Sequence, residues 1–187
     1  MKKIVYLYSG EGTKSGESKS VLLKQSTYWT EIDTILRSKL GLNLEEIWKN
    51  EINRHRCPHS PLLTVVSQIC LSDIWRQWGY QPDVVIGHSI GELTAAFQAG
   101  LYSLEDILLL TYQIGEVAAN LGGVMLHGKL SDQQIDQLSV HLSSLNFVDD
   151  TKKHVTLSGY PDEMTNFMNK NSDFIKMRLP HPWHHPH

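Results

Sequence analysis

Ser89 stands between two glycines in Gly87-His88-Ser89-Ile90-Gly91, a G-x-S-x-G pattern. A β-branched run, Asp83 to Ile86, precedes it, and a helix-like pattern of small residues, Gly91 to Gly100, follows. A serine on a sharp strand-to-helix turn presents its hydroxyl as a nucleophile. The N-terminus of the next helix can stabilise a developing oxyanion. Glycines on both flanks let the backbone pass close by. A glycine-rich turn whose serine only caps the helix is the plainer reading of the same five residues. A serine nucleophile needs a base, and the chain crowds histidines at its end: His181, His184, His185 and His187, interleaved with Pro182 and Pro186. Imidazole also suits zinc, copper or nickel. This spacing matches no familiar metal signature, so no metal is expected.

The surrounding patterns state what must hold these residues. Lys3 to Tyr8 is β-rich and leads into the glycine-serine loop SGEGTKSGES. Tyr28 to Leu40 has helical spacing through Trp29, Ile32, Ile35 and Leu36. Leu42 to Trp48 reads as a short helix and Arg54 to Ser60 as a loop. From Pro61 to Trp78 a longer helix is expected, with Leu62, Val65, Val66, Ile69, Cys70, Ile74 and Trp75 inside. Leu104 to Leu121 is another helix. The order β, α, α, β, α, α predicts a parallel sheet with helices on its faces.

The pattern shortens after Gly122-Gly123. Strands are expected at Val124 to His127, His154 to Leu157 and Phe174 to Leu179. Helices are expected at Ser131 to Leu142 and Pro161 to Asn169. This β-α-β-α-β order predicts a small second α+β unit.

Composition excludes several classes. The 187 residues are 41 % hydrophobic and 20 % charged, ordinary for a globular protein. The net charge of −3, without a Lys/Arg block, argues against nucleic acid or an anionic membrane as main partner. No stretch approaches the ~20 apolar residues of a membrane span. Only Cys57 and Cys70 are present, which suits a reducing compartment and predicts a cytoplasmic location.

The longer motif GHSIGE, followed by LTAAFQAG, resembles the nucleophile motif of the acyl-CoA and acyl-carrier-protein acyltransferases. That family includes malonyl transacylases and the acyltransferase domains of fatty-acid and polyketide synthases. Other segments are similar to the family's in order. YSGEG, Tyr8 to Gly12, resembles its F-P-G-Q-G, and SPLLTVVSQICLSDIWRQWG its Q-P-A-L helix. LYSLEDILLLTYQIG resembles the helix that normally carries an arginine before a glycine. VTLSG, Val155 to Gly159, resembles a strand of the small subdomain, and PHPWHHP the histidine segment.

The resemblance implies an α/β class: an α/β-hydrolase-like large subdomain with a parallel sheet, and an inserted ferredoxin-like small subdomain. The large part is expected over 1–123, the small over 124–181, and a return to the large part over 182–187. The family's C-terminal segment, which orients the histidine, is expected to lie outside this chain or on another one. Ser89 is implied as nucleophile and His184 as general base. The backbone N–H groups of Glu11 and Ile90 would form the oxyanion hole, with glutamate where the family has glutamine. The Glu11 side chain itself could be a solvated loop residue. His88, Ile114 and Trp183 would line the acyl pocket, and Glu92 would only favour the helix dipole. Isoleucine at 114 replaces the family's arginine, and serine at 60 its glutamine. A malonyl carboxylate would therefore meet no guanidinium, so an uncharged acyl group, acetyl or another, is expected. No cofactor is implied. The implied partners are acyl-CoA or another acyl thioester, an acyl carrier protein, and other synthase domains. Two alternatives stay open: a hydrolase that clears acyl groups from the carrier, and a non-catalytic carrier-docking module.

Overall fold

The computed structural model describes residues 3–11, 19–147, 153–177 and 181–186. The chain divides into two compact units, Met1–Glu116 and Val117–His187.

In the first unit, β1 (Val5–Tyr8) pairs in parallel with β2 (Val84–Gly87), with Val5 opposite Val84 and Tyr8 opposite Gly87. Parallel neighbours need a long crossover. Here it runs through α1 (Lys19–Leu23), α2 (Tyr28–Leu40), α3 (Leu44–Lys49) and α4 (His59–Gln77). α5 (Gly91–Gln98) and α6 (Leu104–Asn120) follow β2. The core is a helix layer in which Ile32, Leu36, Leu44, Trp48, Leu62, Val65, Val66, Ile69, Ile107 and Leu108 are buried together.

Local chemistry fixes the helix ends. Asp73 on α4 caps α2 by accepting from Thr27 N at 2.7 Å and from the Ser26 and Thr27 hydroxyls at 2.7 and 3.0 Å. Gly41 closes α2 in the left-handed region at φ 67°. Asn43 caps α3 by accepting from Glu45 N and Glu46 N.

Two expectations change here. The loop at Arg54 to Ser60 contains a 3-10 turn, Asn53–His55, and gives way to α4 already at His59. Trp75 is not inside but 45 % exposed. Its ring meets Trp78 and Tyr80, each with centroids 5.3 Å away. Three aromatic rings at the α4 terminus shield one another instead of entering the core.

The second unit is a four-stranded antiparallel sheet in the order β4-β5-β3-β6. Its elements are β3 (Val124–Leu130), α7 (Asp132–Asp136), β4 (His141–Phe147), β5 (Lys153–Gly159), α8 (Pro161–Lys170) and β6 (Ile175–Lys176). This β-α-β-β-α-β order is ferredoxin-like. The expected helix over Ser131 to Leu142 is thus corrected. Its start holds, with a Ser131/Gln134 capping box, but the helix stops at Asp136. β4 then pairs with β5 from His141 opposite Ser158 to Phe147 opposite Lys153. The core gathers Leu126, Leu130, Val155, Leu157, Met164 and Phe174. The expected final strand is shorter than Phe174 to Leu179, and residues 178 and 179 lie outside those described.

Candidate active site

Ser89 sits between the end of β2 and the first turn of α5, with φ 55°. Left-handed backbone costs a non-glycine residue about 1–2 kcal/mol. The turn is closed by Gly91 N donating to His88 O at 3.0 Å and Glu92 N donating to Ser89 O at 2.9 Å. His88 N donates to Tyr8 O at 2.9 Å, so the turn is tied to the end of β1.

The flanking glycines are there for space. A Cβ on Gly87 would stand 2.4 Å from Glu92 N and Cα. One on Gly91 would stand 2.5 Å from Tyr8 O and 2.6 Å from Ser9 O. A Cβ on Gly10 would lie 2.9 Å from His88 Nδ1 and 3.3 Å from Ser89 Cβ. The Ser9–Glu11 loop is therefore packed on the serine turn. Ser89 is partly exposed, His88 exposed and Ile90 buried.

Sequence reasoning missed the residue that braces this loop. Gln68 of α4 donates from Nε2 to Ser9 O at 2.7 Å and accepts from the fully buried Thr94 hydroxyl of α5 at 2.6 Å. One amide side chain thus links the β1 loop to the helix behind Ser89. Tyr8 adds a second tie through its hydroxyl, 2.9 Å from Ser72 Oγ on α4. Burial pushes the Tyr8 phenol above its ordinary value. A lone glutamine or threonine within an amphipathic pattern carries no signal of this in the sequence.

The Glu11 carboxylate is shielded from solvent, contrary to a solvated loop residue. Its charge is felt at Cys57, whose thiol is pushed up to about 12, first by burial and then by Glu11. Glu92 occupies the first turn of α5, as expected. Ile114 lies half-buried on α6, beside Gly115, where an added Cβ would strike Pro58 Cα at 2.7 Å. Ser60 is buried at the start of α4.

The second unit carries the histidine segment. His181 is 6 % exposed. Burial holds its imidazole below the usual value, and the backbone of Ala118 and Leu121 partly opposes this. Pro182 packs on Gly123, whose Cβ would meet the proline ring at 2.3 Å. The half-buried Trp183 ring meets His181 edge-on at 6.2 Å. His184 is exposed and has φ 59°. Its carbonyl lies 2.6 Å from His141 Nε2. The His185 ring sits between His141 and Tyr160, at 5.3 and 5.4 Å. Among the described residues no three His, Cys, Asp or Glu side chains are placed to hold a metal ion, and His187 lies outside them. Among the described residues no helix is long and apolar enough to cross a membrane.

The acyl transferase domain family matches residues 5–174. A highly reducing polyketide synthase, gloL, of Glarea lozoyensis is 26 % identical over 191 residues, covering 95 % of this chain and 7 % of the synthase. The malonyl-CoA:ACP transacylase of Synechocystis superposes with a TM-score of 0.78 at 23 % identity, covering 97 % of this chain and 64 % of that one. A malonyl-transacylase in complex with its type II polyketide synthase acyl-carrier protein gives 0.79 at 16 % identity, with coverage of 97 % and 64 %. This chain thus spans under a tenth of that synthase and less than two thirds of either transacylase. These likenesses establish the two-subdomain α/β acyltransferase fold.

Proposed function

This chain belongs to the acyl transferase domain family, and we propose that it moves an acyl group from a thioester to an acyl carrier protein through a seryl acyl-enzyme. One observation carries the assignment of residues. Among the described residues, the non-glycine positions with positive φ are Ser89 and His184. Strain of this kind persists where surrounding structure enforces it, and it clusters at functional sites. Ser89 is partly buried and His184 is exposed.

In this reading Ser89 Oγ attacks the thioester carbonyl while His184 accepts its proton. The N–H groups of Ile90 and Glu11 receive the oxyanion. Collapse breaks the C–S bond, and the departing sulfur takes the proton from His184. The carrier's thiol then loses its proton to His184 and attacks the seryl ester. The C–O bond breaks, and Ser89 recovers the proton. In this reading the acyl pocket is lined by His88 and Ile114. Ile114 supplies no cation, and a carboxylate buried without one costs several kcal/mol. The transferred group is accordingly uncharged, acetyl or similar. The setting is cytoplasmic, beside the other domains of a synthase of the kind represented by the Glarea relative.

The test is intact-mass spectrometry of the full-length protein incubated with acetyl-CoA, followed by addition of an acyl carrier protein. Wild type should gain one acyl group, and Ser89→Ala none. His184→Ala should load roughly 10²–10⁴-fold more slowly. Acylation that survives Ser89→Ala refutes the nucleophile. Free acid without acyl-carrier product makes the chain a hydrolase, and no acyl-enzyme at all makes it a docking module.

A further inference from the structure

Resting on the reading of His184 as general base, we propose that His141 is its positioning residue, holding the His184 backbone through a hydrogen bond to the carbonyl. The carbonyl can only accept, so His141 Nε2, 2.6 Å away, must carry the hydrogen. That fixes the tautomer of His141 or its protonated form, and either donates from Nε2.

The need for a holder is geometric. His184 has φ 59°, where its Cβ crowds the backbone. Left alone, the peptide would relax toward the common regions, and the ring would swing with it. The bond from His141 opposes that relaxation directly, because rotation about the His184 backbone carries its carbonyl away from Nε2.

Other ties hold the neighbouring positions. Ser143, two residues along β4, has its Oγ 3.4 Å from the Trp183 carbonyl. It also lies 2.6 Å from Ser158 Oγ, and a hydroxyl has one hydrogen to give. Pro182 on Gly123 and the buried His181 anchor the segment before His184, not His184 itself. After it, His185 N donates to Pro182 O at 3.2 Å, and the His185 ring holds the His141 ring edge-on. The His185 ring therefore orients the donor, and the donor orients the base.

β4 is an edge strand of this sheet, paired with β5 alone among the described strands. Its rigidity comes from the β5 ladder, in which His141 faces Ser158. A base on an exposed segment near the end of the described chain is thus referred back to a sheet.

The experiment separates donor from ring. His141→Gln keeps a donor nitrogen on a side chain of similar reach but loses the aromatic contact. His141→Phe keeps the ring contact but has no donor. Single-turnover acylation of Ser89 by acetyl-CoA is followed by intact mass in the full-length protein, with His184→Ala in parallel. His141→Phe should lower the maximal rate roughly 10–100-fold, the scale of a misplaced catalytic group. The acetyl-CoA concentration at half-maximal rate should stay the same. His141→Gln should recover most of that loss. If His141→Phe loads as fast as wild type while His184→Ala is impaired, the inference falls and the base assignment stands. The inference also falls if His141→Gln is as slow as His141→Phe, since packing and not donation would then be the cause. If His184→Ala loads normally, the base assignment itself fails and takes this inference with it.

Discussion

Gly91→Ala tests whether the serine turn is held by close backbone packing. The new Cβ would stand 2.5 Å from Tyr8 O and 2.6 Å from Ser9 O, about 0.9 Å short of the 3.4 Å at which ordinary contact begins. Both obstacles are backbone, so no side-chain rotation relieves them. Either the end of β1 retreats or α5 slides. Both motions are opposed by His88 N on Tyr8 O at 2.9 Å and by Gln68 Nε2 on Ser9 O at 2.7 Å. Overpacking of this kind costs about 1–3 kcal/mol. At about 2–4 °C per kcal/mol for a chain of this size, the melting temperature should fall by roughly 2–12 °C. The displaced loop carries the Glu11 N–H, and a shift approaching 1 Å can cost ~10²-fold in rate. Gly91 has an ordinary φ, so the penalty is steric and not conformational. Gly122→Ala, with nothing within 4 Å of its Cβ, is the control. Thermal denaturation and the rate of acyl-enzyme formation are measured on both. A Gly91→Ala protein that matches Gly122→Ala in both would refute the argument.

Three further outcomes are expected. Gln68→Leu removes the bridge between Ser9 O and the buried Thr94 hydroxyl, and should slow acylation about 10-fold while lowering stability by ~1–3 kcal/mol, the cost of a stranded buried polar group; an unchanged rate would show that the loop does not need the brace. Ile114→Arg should raise the ratio of malonyl to acetyl acyl-enzyme in a competition of the two CoA thioesters, and a wild type already preferring malonyl would contradict the specificity argument. The Asp73 carboxyl is held below its ordinary value of 3.8, because hydrogen bonds from Ser26, Thr27 and Gln77 outweigh the burial that raises it. Its folded value being lowered, its contribution is present above the unfolded value and is lost as pH falls through the folded one. In urea titrations Asp73→Ala should therefore destabilise the chain less at pH 3 than at pH 7, and an equal loss at both would contradict the linkage.

Periodicity alone determined the helices whose partners are other helices. Tyr28–Leu40 forms with the bounds its spacing marks, and α4 buries Leu62, Val65, Val66, Ile69, Cys70 and Ile74 as that spacing requires. The helix start at Ser131 was equally legible, since a capping box is local chemistry. The glycines of the serine turn announced a close approach before anything showed what approached. The family, and with it the fold, was readable from GHSIGE and the order of the other motifs, because such motifs are short and contiguous.

The stretch 137–147 was not readable. Leu138 and Leu142 continue a helical spacing, yet residues 141–147 join β5 as a strand. Ladder pairing is decided by a partner at a distance in sequence, and a one-strand window cannot see it. Gln68, Thr94 and His141 were silent for the same reason: their roles lie in hydrogen bonds to residues 59, 26 and 43 positions away. The left-handed backbone at Ser89 and His184 is likewise a product of what surrounds them. Few non-glycine residues adopt that region. Ser89 stands on the turn between β2 and α5 in one unit, and in the other the His184 carbonyl meets His141 of β4.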